Sequence, residues 1–497
     1  MRPATPLVLI ALVAAAGGVS DTTNEVINRD VVIVGSGASG AHAAVKLRDM
    51  GKTIALVEKR DKLVSQNAAS APTFSTDCLS QGGHTETYQD PLTGKPINVG
   101  VQAWTTYKNT TDFITKRMNL SVVVKSQTSL ATKYVDFTTG QALDSYTAPT
   151  STEALAALGT YHELCKQYEQ LLLPGYFDFP LPDDIPEDLT LLFRDFVAKY
   201  NISAAVPRLF QLTGVGLGDM MNAPTMYVMQ GIGAPLTGVF FGETNNVVPV
   251  SGDNHELYRK IGDLLGQDVL YSSTVISSVR GAGDAGVTIV VEAANGTRKR
   301  IRAQRLLIAI EPSTDNMAPF DLDASESAVF SKFQPSNVYV GAVRNPSLAV
   351  NQSLTNMPAA AQPSNWTALP LPPSNSRFDY FGQGSDLFRF LMVTDASFDA
   401  DRARALVVDG FNKMVESGVL ATTDEPLQFA AFQDHSPAHM RADADEIRAG
   451  FIQEQYALQG HRSTWWTGGA FAAQFTTILW AFNDLLLPKM IDSMEDR

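Results

Sequence analysis

The sequence predicts an α/β fold in which a mainly parallel sheet is interleaved with a second, α+β domain. Three observations carry that expectation. Residues 30–58 read as strand, glycine-rich turn, helix and second strand ending in a carboxylate. Strand-like stretches return at 269–271, 275–276, 286–291 and 300–310. Near the C-terminus, residues 464–471 place two adjacent glycines after an apolar run. Pieces of one domain so far apart in the chain leave the residues between them to build another.

The first unit has the order of a dinucleotide-binding βαβ motif. Val31 to Val34 is a short apolar run, as expected of a parallel strand buried on both faces. Gly35 makes the tight turn, Gly37 lets the backbone approach a pyrophosphate, and Gly40 lets the helix pack close to the strand. The helix opens at Ala38, where free N–H groups and the positive dipole end face phosphates. Gly51 stops the helix. Glu58, with Lys59 beside it, ends the second strand, where a carboxylate can accept from ribose hydroxyls. The domain is therefore Rossmann-like.

The fingerprint does not separate NAD from FAD, but three later segments favour FAD. Gly82-Gly83-His84 is the first, all three expected to bind the cofactor, with His84 against the FAD phosphates or the flavin rather than the substrate. The return segment, with strands flanking Asn295-Gly296 and ending in Leu306 to Ile310 before Glu311-Pro312, is the second. In two-dinucleotide-fold flavoproteins such a segment completes the FAD domain, and Val275 is the residue expected against the adenine. The third is Gly468-Gly469, expected to open a helix whose free N–H groups hold the ribityl chain or a flavin carbonyl.

Composition sets the outer limits. A net charge of −14 argues against nucleic acid or an anionic membrane as the main partner. Two cysteines, Cys78 and Cys165, do not make a disulfide framework. The scattered histidines show no zinc spacing, so no metal is expected. Residues 1–20, with Arg2, an apolar run over 7–16 and small residues before Asp21, read as a signal peptide. Sequons at Asn109, Asn119, Asn201, Asn295, Asn351 and Asn365 are then glycosylation candidates on a secretory route. The apolar stretch 471–491 contains Gln474, Asn483 and Asp484 and reads as a core helix rather than a membrane span.

Longer stretches resemble a known family. They include Gly82 to Tyr88, Asp90 to Ile97, Phe196 to Tyr200, Met226 to Met229, Asn337 to Asn345, His435-Ser436-Pro437, and Tyr456 to Gly460 running into Thr464 to Phe471. Together they resemble the fungal β-cyclopiazonate dehydrogenase family of FAD-dependent, amine-oxidase-like flavoproteins, over nearly the whole chain. The resemblance implies FAD and oxidation of a hydrophobic secondary metabolite, terpenoid or indole-alkaloid-like, by hydride transfer to flavin, with ring closure in some members. An amine or amino-acid oxidase producing imine and peroxide, and an inactive flavin-binding protein, are the competing readings.

Against that family one segment stands out. Residues 64–81 intervene between Leu63 and Gly82 where the resembling flavoproteins run straight on. The segment is Ser/Ala/Thr-rich, its codons accommodate splice-donor, branch-point and acceptor sequences, and its length suits a small fungal intron. It reads as a retained intron or, alternatively, a surface loop. The expected organisation is thus an FAD-binding domain over 21–104, 246–312 and 431–497 and a substrate domain over 105–245 and 313–430. The substrate is expected at their interface. His435, as a base, and Trp466 are the expected substrate-facing residues.

Overall fold

The computed structural model describes residues 25–63, 84–126, 129–283 and 285–495. The expected signal peptide, the 64–81 segment and Gly82-Gly83 lie outside the described residues.

Strand β1 (Glu25–Val34) is central in the first sheet. It is flanked in parallel by β2 (Ile54–Val57) and by the return strand Arg298–Ile308. The return strand changes character along its length. Residues 301–304 alternate buried and exposed, and its first half pairs antiparallel with Val287–Ala293. Its last four residues, Arg305 to Ile308, are all buried. The alternation marks a meander with one wet face, and the continuous apolar end marks a parallel sheet covered on both sides. The C-terminal strand Thr464–Trp466 runs parallel to that buried end.

Helix α1 (Ala38–Asp49) covers one face, and the C-terminal helix Thr476–Glu495 packs on α1. Asn483 explains why that helix is not a membrane segment. Its amide donates to the Ser39 carbonyl at 2.8 Å, and Thr467 donates to its Oδ1 at 2.6 Å. Buried polar groups need such partners, and only a protein core supplies them. Among the described residues no helix is long and apolar enough to cross a membrane.

The second sheet runs in the order 428–434, 334–344, 388–394, 374–380, 352–356, 131–136, 141–142. The helix Ala400–Glu416 covers it over a separate apolar core that includes Phe378, Phe390, Phe411 and Met414. The strand Gln428–Asp434 hydrogen-bonds to Gln334–Arg344, and Ala438–Arg441 pairs with its start. Residues 431–441, assigned by sequence to the FAD-binding domain, therefore sit in this second sheet. The apolar run Phe429 to Phe432 does not say which sheet its strand joins. The 358–377 stretch, linker-like in composition, enters a strand at Ser374.

Candidate active site

The C-terminal ends of the parallel strands converge on one edge. The Gly35 amide donates to Val57 O at 3.0 Å, Ala309 to Val34 O at 2.9 Å and Thr467 to Ile308 O at 2.9 Å. A cavity of about 990 Å³ opens from this edge towards the second sheet. Ligands of open α/β sheets bind outside the carboxyl ends of the strands.

At the sheet end, Gly35, Gly37, Ala38, Glu58, Lys59, Val275, Gly468 and Gly469 all line the cavity. Gly35 has φ +95°, and a Cβ there would meet the Ile310 side chain at 2.5 Å. Gly40 is not on the wall. A Cβ at Gly40 would lie 1.9 Å from the Gly35 carbonyl oxygen, so its role is to let helix and turn touch. Glu58 accepts from the Ser36 amide at 3.0 Å and hydroxyl at 2.5 Å, and from the Arg60 amide at 2.9 Å. Its carboxylate is thereby fixed at the turn. The glycine contacts, the buried acid and the adjoining Val275 fit a dinucleotide laid along this edge.

Gly468 and Gly469 reach the cavity but do not open a helix. Gly468 has φ +116°, and the amides of Phe471 and Ala472 bond back to its carbonyl. This makes a closed turn, and the helix starts only at Thr476. The N–H groups offered here belong to the turn.

The second-domain end is built from side chains. His84 and His435 stack with ring centroids 4.6 Å apart and planes 15° from parallel. Both line the cavity. Burial pulls the His84 pKa down to about 4, with Arg60 adding to the fall and a hydrogen bond to the His435 backbone opposing it. Burial also drives His435 well below the usual histidine range, reinforced by His84 and Arg60. Both imidazoles are therefore neutral near pH 7. Phe330, Phe333, Phe398, Tyr339, Pro437 and Met440 form the apolar wall around them.

Trp466 is not part of that wall. It is 1% exposed and packs against Phe330 at 4.8 Å and Phe471 at 5.9 Å. Its strand is covered on both faces, so the ring supports Phe330 from behind rather than facing a substrate. Sequence reasoning also passed over Glu311, Gln474 and the aromatic wall. Glu311 had a visible signal, since it stands three positions past the end of the return strand.

The comparisons agree with this geometry. The FAD binding domain family matches residues 30–76. The FAD-dependent oxidoreductase pigF of Monascus ruber is 33% identical over 480 residues, 95% of this chain and 94% of its own. β-Cyclopiazonate dehydrogenase of Aspergillus oryzae is 31% identical over 488 residues, 97% of each chain.

The chain belongs to this family.

It is an FAD-dependent oxidoreductase, and FAD is its cofactor. Among solved structures, a fatty acid isomerase from P. acnes superposes with TM-score 0.69 at 15% identity, over 93% of this chain and 98% of its own. Putrescine oxidase bound to putrescine gives 0.60 at 14% identity, over 94% and 100%. Both show the same fold. The residues on the cavity edge fit FAD, and bound there it supplies a two-electron acceptor.

Proposed function

We propose that the chain oxidises a hydrophobic small molecule of terpenoid or indole-alkaloid type, in the biosynthesis of a secondary metabolite. The carrying observation is the pair of neutral, stacked histidines set in an aromatic wall on the cavity that the cofactor edge shares. An apolar wall that also carries Asn337, Asp399, Asp434 and Ser436 suits a ligand buried by the aromatic rings and oriented by a few polar groups. The His435 imidazole, neutral near pH 7, takes a proton from substrate oxygen, nitrogen or an acidic carbon as the substrate loses its hydride. Where the oxidation closes a ring, the same imidazole takes the proton released at the new bond. His84 holds the His435 ring plane by stacking, and the aromatic wall excludes water.

Anaerobic mixing of the yellow enzyme with terpenoids, indole alkaloids and simple amines tests this reading. Bleaching of the flavin by apolar polycyclic substrates supports it. Bleaching by simple amines alone replaces it with an amine oxidase, and no bleaching with tightly held FAD points to an inactive flavin binder.

We further infer a secretory route from residues 1–20. The six sequon asparagines are all exposed, which supports their use as glycan acceptors. Treatment of fungal-expressed protein with an N-glycosidase is expected to increase its gel mobility. Unchanged mobility argues for a different compartment. The 64–81 segment is tested by sequencing the transcript across Leu63 to Gly82: a cDNA encoding Cys78 ends the intron reading.

A further inference from the structure

The Glu311 carboxyl group lies on the second glycine turn, where it accepts from the amides of Gly469 and Ala470. A Cβ on Gly469 would sit 2.6 Å from Glu311 Oε1 and 2.8 Å from Gln474 Nε2. Both side chains line the cavity. Glu311 Oε2 is buried with no hydrogen-bond partner, and so is Gln474 Nε2. An acceptor and a donor are thus both left unsatisfied around Gly469, on a turn that lines the cavity. Orphaned buried polar atoms of this kind mark a place where a ligand completes the bonding.

The two available charge states of Glu311 differ in what they offer FAD. As an anion it presents only acceptors, and it competes for the same amides with the phosphate or carbonyl oxygens of the cofactor. Protonated, it releases those amides and adds an O–H donor. The elements packed against it offer no compensating cation. Residues 468–475 and the turn 35–40 carry no titratable group, and 312–316 carry only the exposed Asp315. Lys59 on the cavity wall directly follows Glu58, and Glu58 is tied to Ser36. The FAD diphosphate adds two further negative charges to the same edge.

We propose that Glu311 is a cofactor-binding residue that carries a proton whenever FAD is bound, so that loading of the cofactor takes up a proton at this carboxyl group. Burial already pushes Glu311 up to about 7 in the free chain, against the pull of the two amides. The other carboxyl, amine and imidazole groups on the cavity wall are Glu58, Lys59, His84, Asp315, Asp399, Asp434 and His435.

The test is calorimetric titration of FAD into the full-length apoprotein at about pH 8, in two buffers of different ionisation enthalpy. The expected result is uptake of close to one proton per FAD. Binding should weaken by up to about tenfold per pH unit above about pH 7. Glu311→Gln should bind FAD without uptake and without that pH dependence, and His435→Asn should keep the uptake. Binding without uptake in the wild type overturns the proposal, as does uptake that survives Glu311→Gln or disappears in His435→Asn. If Glu311→Gln does not fold, the wild-type holoenzyme decides by infrared spectroscopy: at the same pH it must show a protonated-carboxyl C=O band, and absence of that band overturns the proposal.

Discussion

The two ends of the cavity are made of different material. The sheet end is mostly backbone, amides and glycines with the carboxyl groups of Glu58 and Glu311, nearly all drawn from short runs of sequence. The second-domain end is mostly side chain, gathered from residues as far apart as His84, Phe330, Phe398 and His435. Backbone recognition suits a cofactor shared by a whole family, since it tolerates little change. A wall of side chains can be altered one residue at a time without touching the cofactor. The comparison teaches that the cofactor edge and the side-chain wall are separately encoded in this molecule.

That separation can be broken or sharpened by mutation. The largest effect is expected at Gly40→Val, because the added atoms collide with the Gly35 carbonyl. A loss of about 3 kcal/mol or more is expected, read as a colourless or unfolded protein after desalting. His435→Asn should keep its flavin spectrum while kcat falls by about 10²–10³, measured by stopped-flow reduction of the flavin. Loss of FAD in that variant would break the comparison.

A pH effect comes next. His84 has a folded pKa of about 4 against an ordinary 6.5. Between those values the unfolded chain binds the proton and the folded chain does not. Stability is therefore expected to fall as pH drops from about 6.5 towards 4, by at most about 1.4 kcal/mol per pH unit from this group. Denaturation at stepped pH should show a shallower slope in His84→Asn. The smallest effect is expected for Trp466→Phe: a loss of about 1–2 kcal/mol in stability with KM unchanged, read from a denaturant curve and steady-state kinetics. A changed KM would return Trp466 to the substrate wall.

The same division explains what could be read from the sequence. Gly35, Gly37, Gly40 and Glu58 were legible because one local motif dictates their backbone and spacing. Val275, Gly468 and Gly469 were legible once a return segment was sought. Trp466 was misplaced because a tryptophan beside a glycine pair looks the same whether it faces a cavity or a core. The closed turn at Gly468 was missed because the glycines suggest an abrupt backbone change without fixing its direction. His84 and His435 were named separately, but nothing in the sequence says that their rings stack, since that contact depends on how the second sheet meets the first. The strand Gln428–Asp434 shows the same limit: no alternation announces it, and its place beside Gln334–Arg344 depends on how the second sheet assembles.

The Ser39 hydroxyl lies 2.5 Å from that of Thr467, across a sequence separation of 428 residues. The fingerprint turn and its neighbour on the sheet edge therefore come from distant parts of the sequence. Until Thr464–Trp466 docks beside the return strand, the parallel sheet lacks a strand and the nascent cofactor site lacks a wall. The cofactor edge is consequently complete only once residues 428 positions apart have met.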